Sequence, residues 1–442
     1  MHTPDIVFIH CHDLGRRLSI YDETRTATPG LERIASEGIV FDRFFSTSTL
    51  CTPARGSILT GRYPHEIGLF GLTNRGWDLD RDAKGIPHYL NEAGYRTVLV
   101  GMQHEACDLN QLGYSERIPM PSRHPAPVWN VARQAADLIA ALPARGERAP
   151  LYLNVGIFEP HRHNYWDRYE PEDPAQVTVP AHLPDTPGVR EDLAAYDGLI
   201  RAMDEGVQIV LGALDDAGLA DDTLVLFTTD HGIAFPGAKV NCYDPGIGVA
   251  AMARWPERIA AGSRSDALLS HIDWLPTVLD CVGGEAGAEV RGRSFLPLMR
   301  GESYERGEHV FAEATYHGWQ YDPVRCVRSA THKLIVNFDS CPARYMGIDD
   351  NPHNGIRAIE DYDSTYVEPR PRFELFDLEN DPAERENRAE DEACSGILAE
   401  LLDRLHERMR ATGDPVERMY RTNRMIAAEK QDPNPSGRSS GA

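Results

Sequence analysis

Four short runs of the 442-residue chain gather acids, imidazoles and a cysteine where catalysis could use them. They are His10-Cys11-His12-Asp13-Leu14-Gly15, Cys51-Thr52-Pro53-Ala54-Arg55-Gly56-Ser57-Ile58-Leu59-Thr60-Gly61, Glu159-Pro160-His161-Arg162 and Thr229-Asp230-His231-Gly232. Carboxylates beside imidazoles are donors for a hard or borderline divalent cation. Taken singly, an Asp-His pair after a strand is more often a turn or a helix cap than a ligand pair. Several such runs at strand ends shift the balance toward one metal-assisted site.

The elements that position these runs can be read from apolar patterning. Asp5 to Cys11, Leu151 to Gly156 and Thr223 to Thr229 read as buried strands, with Val249 to Trp255 as another. Thr28-Pro29 opens a helix that stops at Gly38, and Ile39 to Phe45 follows as an extended run. A helix over Ile86 to Ala93 leads through Gly94 into a strand at Thr97 to Val100. Leu193, Tyr196, Ile200, Met203, Val207, Val210 and Leu214 step by three and four, which predicts a long amphipathic helix from about Val189 to Ala217. This β-α-β alternation predicts an α/β fold: a large, mainly parallel sheet sandwiched by helices, with ligands at the carboxyl ends of its strands. Beyond about Leu298 the pattern becomes short β-like runs (309–313, 325–329, 332–338, 373–378) and a helix from Cys394 to Ala411. We therefore expect a catalytic domain over 1–300, a smaller α+β domain with an antiparallel sheet over 301–422, and a disordered tail over 423–442. Cys51 should lie at the solvent-facing start of a helix beginning near Pro53, where free N–H groups and the helix dipole favour an anion.

The run from Cys51 to Gly61 resembles the C-x-P-x-R signature of the sulfatase family, extended by S-x-L-T-G. An alkaline-phosphatase-like fold goes with that resemblance. Within the family the likeness is nearest to the sulfamidase (heparan N-sulfatase) group: Asp230 to Gly246 follows that group's D-N-G-I-P-F-P run in register, and Pro160-His161-Arg162 matches its P-H-R. Glu374-Leu375-Phe376-Asp377 with Asp381-Pro382 is similar to a second-domain motif of many sulfatases.

The resemblance implies that a formylglycine-generating enzyme reads Cys51, Pro53 and Arg55 and oxidises Cys51 to formylglycine, whose gem-diol attacks sulfur. By position, Asp13, Asp230, His231 and the modified Cys51 would bind one divalent metal, with His12 beside them. Arg55 would hold the nucleophile's hydroxyl, His161 and Lys239 would contact sulfate oxygens, and His104 would act as base for sulfate release. Calcium is the ion expected by family, with manganese or magnesium as alternatives. Two departures stand out. His12 replaces the first of the usual acid pair, which either brings manganese forward or removes this residue from the ion. The family's G-K-x-H reads Gly101-Met102-Gln103-His104, so its lysine is missing.

Bulk properties narrow the partners. A net charge of −23 disfavours nucleic acid and long polyanions, while a small sulfated substrate held by a few local cations remains compatible. No apolar run is long enough for a membrane helix. The opening M-H-T-P-D-I-V-F-I-H has no basic region before an apolar core, which leads us to expect a cytoplasmic protein, or a periplasmic or secreted one if a leader was trimmed. The eight cysteines are scattered, and seven of them read as reduced, mostly buried thiols; an oligomer is compatible with the sequence.

His163, His271 and His317 read as ordinary histidines. Trp319 and Tyr321 could line a sugar pocket, although packing is the plainer role, and Arg370 and Arg372 read as a solvated loop. The functional expectation is hydrolysis of a sulfate ester or sulfamate on a small sulfated or N-sulfated amino sugar. Its rivals are a phosphonate monoester or phosphodiester hydrolase of the same superfamily and a non-catalytic relative.

Overall fold

The structure is a computed structural model that describes residues 3–118, 126–143, 148–162, 168–317, 320–339, 370–416 and 418. His163, Trp319 and the 423–442 tail fall outside the described residues.

In chain order the strands are β1 Asp5–Cys11, β2 Ile39–Phe41, β3 Phe44–Phe45, β4 Arg96–Gly101, β5 Glu116–Ile118, β6 Leu151–Gly156, β7 Thr223–Thr229, β8 Ala251–Arg254, β9 Ser263–Ser265, β10 Leu269–Ser270, β11 Val310–His317, β12 Gln320–Arg328, β13 His332–Asn337 and β14 Phe373–Asp377. The helices are α1 Pro29–Glu37, α2 Cys51–Thr60, α3 Ile86–Glu92, α4 Val128–Ala140, α5 Pro187–Asp216, α6 Asp244–Ile247, α7 Trp274–Cys281, α8 Leu296–Met299 and α9 Ser395–Ala411. No helix among the described residues is long and apolar enough to cross a membrane.

The main sheet has the order β5-β4-β6-β1-β7-β8-β2-β9. Every residue of β1, β6 and β7 is buried, as expected for central strands covered on both faces. Successive residues of β1 serve opposite layers. Val7 and Ile9 join a core with α1, α4 and α5, while Ile6 and Phe8 join one with α3 and α7. β8 runs antiparallel to both β7 and β2, since a strand entered by a loop rather than a full crossover is free to reverse. The extended run expected from Ile39 to Phe45 divides: β2 joins the main sheet, and β3 pairs with β10 in a two-stranded sheet.

The second sheet, β11-β12-β13-β14, is antiparallel throughout and packs α9 through Leu401, Leu405 and Met409. A buried ion cluster fastens it to α6, on the connection between β7 and β8. Asp244 on α6 meets Lys333 at 2.5 Å and Arg328 at 2.9 Å. Glu384 meets Lys333 at 2.6 Å and accepts the Asp244 N–H at 2.5 Å.

The strands that carry the site pinch together at their carboxyl ends. A Cβ on Gly156 would lie 1.9 Å from the Met102 carbonyl oxygen, and Met102 donates to the Gly156 carbonyl at 2.8 Å. Gly156→Ala is therefore expected to destabilise the fold by about 3 kcal/mol, the cost of overpacking against backbone. A denaturation midpoint equal to wild type would show that this approach is not tight.

Candidate active site

The sheet order sets β4, β6, β1 and β7 side by side, and each ends at a candidate residue. His12 and Asp13 follow β1, His104 follows β4, His161 follows β6, and Asp230 and His231 follow β7. Asp13 has φ 55°, in the left-handed region, and its N–H donates to Asp230 Oδ1 at 2.8 Å. The same oxygen accepts the His231 N–H at 2.9 Å, and Gly15 donates to the His231 carbonyl at 2.9 Å. The Tyr196 hydroxyl of α5 donates to the Asp13 carbonyl. Two loops more than two hundred residues apart are thus fixed to each other by their own acids.

His12, Asp13, Cys51 and Asp230 each offer one donor atom, and these atoms lie within 4.8 Å of one another. His231 adjoins the group, its Nε2 lying 3.3 Å from Asp13 Oδ1 and 3.2 Å from Cys51 Sγ. Cys51 Sγ is 3.8 Å from Asp13 Oδ1. His12 Nδ1 and Asp230 Oδ2 are 2.9 Å apart without the alignment of a hydrogen bond. Among the described residues, both ring nitrogens of His12 and Asp230 Oδ2 are buried with no hydrogen-bond partner. Orphaned buried donors of this kind fit a cation, since buried polar atoms are otherwise paired. Burial, with the Arg55 guanidinium beside it, pulls His12 down to about 4, so its ring is neutral and able to ligate. Burial alone would push the Asp13 carboxyl up, but His161, Lys239 and His231 outweigh it and hold it below the usual range. At Asp230, His231 and His12 do the same.

The cations approach from the other side. Lys239, 1% exposed, donates to Asp13 Oδ2 at 2.9 Å. The next residue, Val240, has φ 75°, a strained value for a β-branched side chain, and its N–H is held by the Thr49 carbonyl at 3.1 Å. His161 stacks on Phe158 with ring centroids 4.7 Å apart, engages the Arg162 carbonyl through Nδ1 at 2.8 Å, and places Nε2 3.8 Å from Asp13 Oδ2.

Helix α2 departs from expectation. It starts at Cys51, with Pro53 at its third residue, where a proline interrupts no helical hydrogen bond. Cys51 does not face solvent: it is 2% exposed, and all ten residues of the helix are buried. Gly56 permits this, because a Cβ there would sit 2.3 Å from the Leu69 side chain. Arg55 donates to Glu105 at 3.2 Å and to the Cys11 carbonyl at 3.3 Å, and it meets His10 Nδ1 at 3.1 Å.

In the lysine-less loop, Gln103 folds onto its own segment, accepting from Glu105 and Ala106 and donating to the Ala106 carbonyl. It therefore does not extend into the role of the absent lysine. His104 is held down to about 3 by burial, with His12 and Arg55 nearby, and its ring centroid is 6.2 Å from that of His12.

Other candidates lie apart from this group. His271 Nε2 meets the Thr229 carbonyl at 3.0 Å behind the Asp230 loop, and His317 is buried on β11. Tyr321 packs on Tyr316 with centroids 5.1 Å apart. Arg370 pairs with Asp322 rather than with solvent, and Arg372 lies 4.5 Å over Phe338. Cys11, Cys242, Cys281 and Cys326 are buried free thiols, while Cys107 is exposed. His10, Glu105 and Tyr196 contact the site although no candidate role was read for them. His10 and Tyr196 carry a sequence signal, the end of β1 and the apolar spacing of α5, and Glu105 carries none.

Known proteins resemble this chain over most of its length. The sulfatase family profile matches residues 4–284, and that of the N-sulphoglucosamine sulphohydrolase C-terminal region matches 237–346. Human N-sulphoglucosamine sulphohydrolase is 28% identical, over 91% of this chain and 89% of its own. An ulvan-active sulfatase of Formosa agariphila is 28% identical, over 93% of this chain and 81% of its own. Two solved structures share the fold. One, bound to its substrate D-glucosamine-2-N,6-O-disulfate, has a TM-score of 0.74 at 18% identity, covering 94% of this chain and 99% of its own. The other, a phosphonate monoester hydrolase from Silicibacter pomeroyi, has a TM-score of 0.71 at 20% identity, covering 92% and 96%. Since the family profile spans well over half of the sequence, the chain belongs to the sulfatase family.

Proposed function

We propose that this sulfatase removes sulfate from a small sulfated or N-sulfated amino sugar, using formylglycine made from Cys51. The observation that carries the reading is the position of Cys51 Sγ, 3.2 Å from His231 Nε2 and 3.8 Å from Asp13 Oδ1, inside a buried donor group. One hydroxyl of the aldehyde hydrate attacks sulfur as the S–O or S–N bond breaks and the leaving alcohol or amine takes up a proton. The second hydroxyl then yields its proton to His104, its electrons reform the carbonyl, and sulfate departs; water rehydrates the aldehyde. Lys239 and His161 share the charge of the transferring group.

His12, Asp13, Asp230 and His231, with the group derived from Cys51, would hold the divalent ion, which supplies charge at the sulfuryl oxygens and lowers the pKa of the attacking hydroxyl. Two imidazoles in this set favour a borderline ion such as manganese over calcium, which prefers oxygen donors. Because Cys51, Pro53 and Arg55 are buried in α2, the formylglycine-generating enzyme would have to meet them before the chain closes.

The substrate class follows from the likeness to human N-sulphoglucosamine sulphohydrolase and from the C-terminal match. The test is a side-by-side assay of N-sulfoglucosamine, glucosamine 6-sulfate and a phosphonate monoester, with metal content measured on the same sample. We expect one of the sulfated sugars to exceed the phosphonate in kcat/KM by about 10²-fold or more, a discrimination within reach of a few site contacts. The Asp230-His231 pair and the fold shared with a phosphonate monoester hydrolase make the reverse order the competing outcome.

A further inference from the structure

Arg55 and His104 come from different elements, and one side chain touches both. Glu105 is 5% exposed. Its Oε1 accepts from Arg55 Nε at 3.2 Å, and its Oε2 accepts the backbone N–H of His104 at 2.7 Å. Its own N–H is held by Gln103 Oε1 at 2.9 Å, so the 103–106 segment closes on itself with the carboxylate directed at Arg55. Arg55 completes the span by donating to the Cys11 carbonyl and meeting His10 at the end of β1.

A buried carboxylate and a buried guanidinium are each costly alone and tolerable together. Glu105 is the nearer acid to Arg55: Asp230 Oδ2 lies 3.9 Å away. Lys239 and His161 instead gather at Asp13 Oδ2, at 2.9 Å and 3.8 Å, on the metal-donor side.

We propose that Glu105 is a positioning residue, a buried carboxylate that clamps the His104 backbone to the Arg55 guanidinium and so sets both side chains around the nucleophile. This role rests on the hydrolase reading above. It also accounts for how the loop of Met102 and Gln103 holds His104 in place. Glutamine has the shape of glutamate, but its amide cannot accept from both Arg55 and the His104 N–H.

The test is steady-state kinetics on N-sulfoglucosamine for Glu105→Gln and Glu105→Asp, each with formylglycine and metal content verified. We expect kcat of Glu105→Gln to fall by about 10²-fold with KM within about threefold, the pattern of misplaced groups rather than lost binding. Glu105→Asp keeps the charge on a side chain one methylene shorter, so it should lose about tenfold or more in kcat, because it cannot reach Arg55 and the His104 N–H together. Wild-type kcat in Glu105→Gln or in Glu105→Asp would overturn the clamp. If Glu105→Gln does not fold, Glu105→Asp, which leaves Arg55 a buried counter-charge, should fold and show its loss of kcat; wild-type kcat there would overturn the clamp equally. Absence of turnover by a modified, metal-loaded wild-type chain would count against the hydrolase reading instead. The clamp is then read from amide exchange at His104, at least about tenfold faster in Glu105→Gln if it exists and unchanged if it does not.

Discussion

Cys51→Ala is expected to abolish sulfate release, with kcat falling by roughly 10⁵-fold or more, the scale on which loss of a covalent nucleophile acts. The fold should survive. Cys51 is buried, so the deleted sulfur leaves a small void, but alanine suits the first turn of α2 and the cost should stay near about 1 kcal/mol. Labelling of the denatured wild-type chain with an aldehyde-specific hydrazide provides the companion result: position 51 takes the tag as formylglycine and does not take it as a thiol. A variant that keeps more than a small fraction of the wild-type rate would show that position 51 does not hold the nucleophile. An untagged position 51 in an active preparation would show that the thiol acts without oxidation.

Asp230→Asn should have the second largest effect. Asp230 Oδ1 accepts two backbone N–H groups, from Asp13 and His231, and asparagine can retain those bonds. Its Oδ2, buried 2.9 Å from His12 Nδ1, becomes an uncharged amide nitrogen that cannot ligate a cation. The loops should therefore keep their places while the ion is lost. We expect metal content to drop below about one tenth per chain and kcat to fall by about 10³-fold or more. Chelation of the wild-type chain should reproduce the loss, with manganese restoring more activity than calcium. Full metal content together with full turnover in Asp230→Asn would remove Asp230 from the ion.

Much of this site is visible in the sequence because its residues sit next to legible strands. β6 and β7 are continuous apolar runs with the same limits in sequence and structure, and β1 differs from neither. Helix α5 follows from its three-and-four spacing. Helix α4 was within reach, since Val128, Val131, Ala132, Ala135 and Ile139 recur at helical intervals. The direction of β8 was not, because periodicity carries no sign. Burial of α2 also escaped the pattern: Cys-Thr-Pro-Ala-Arg-Gly-Ser has few apolar residues, and it goes inside because Arg55 finds a carboxylate fifty residues later. Pairings at that separation leave no local trace, so neither the Glu105 carboxylate nor the bond from Tyr196 to the Asp13 carbonyl is legible in the sequence, whereas His12, Asp13, Asp230 and His231 are.

The ion cluster between α6 and the second sheet has a consequence for how the protein can be dissected. Asp244 lies five residues after Lys239, on the same connection between β7 and β8, and its charge is answered from the far side by Lys333 and Arg328. A truncation at residue 300 would strand that acid in an apolar seam and release the segment bearing Lys239. The C-terminal family match opens at residue 237, inside this connection. Chimeras that exchange the rear portion between relatives should accordingly be cut ahead of that point, carrying acid and base across together.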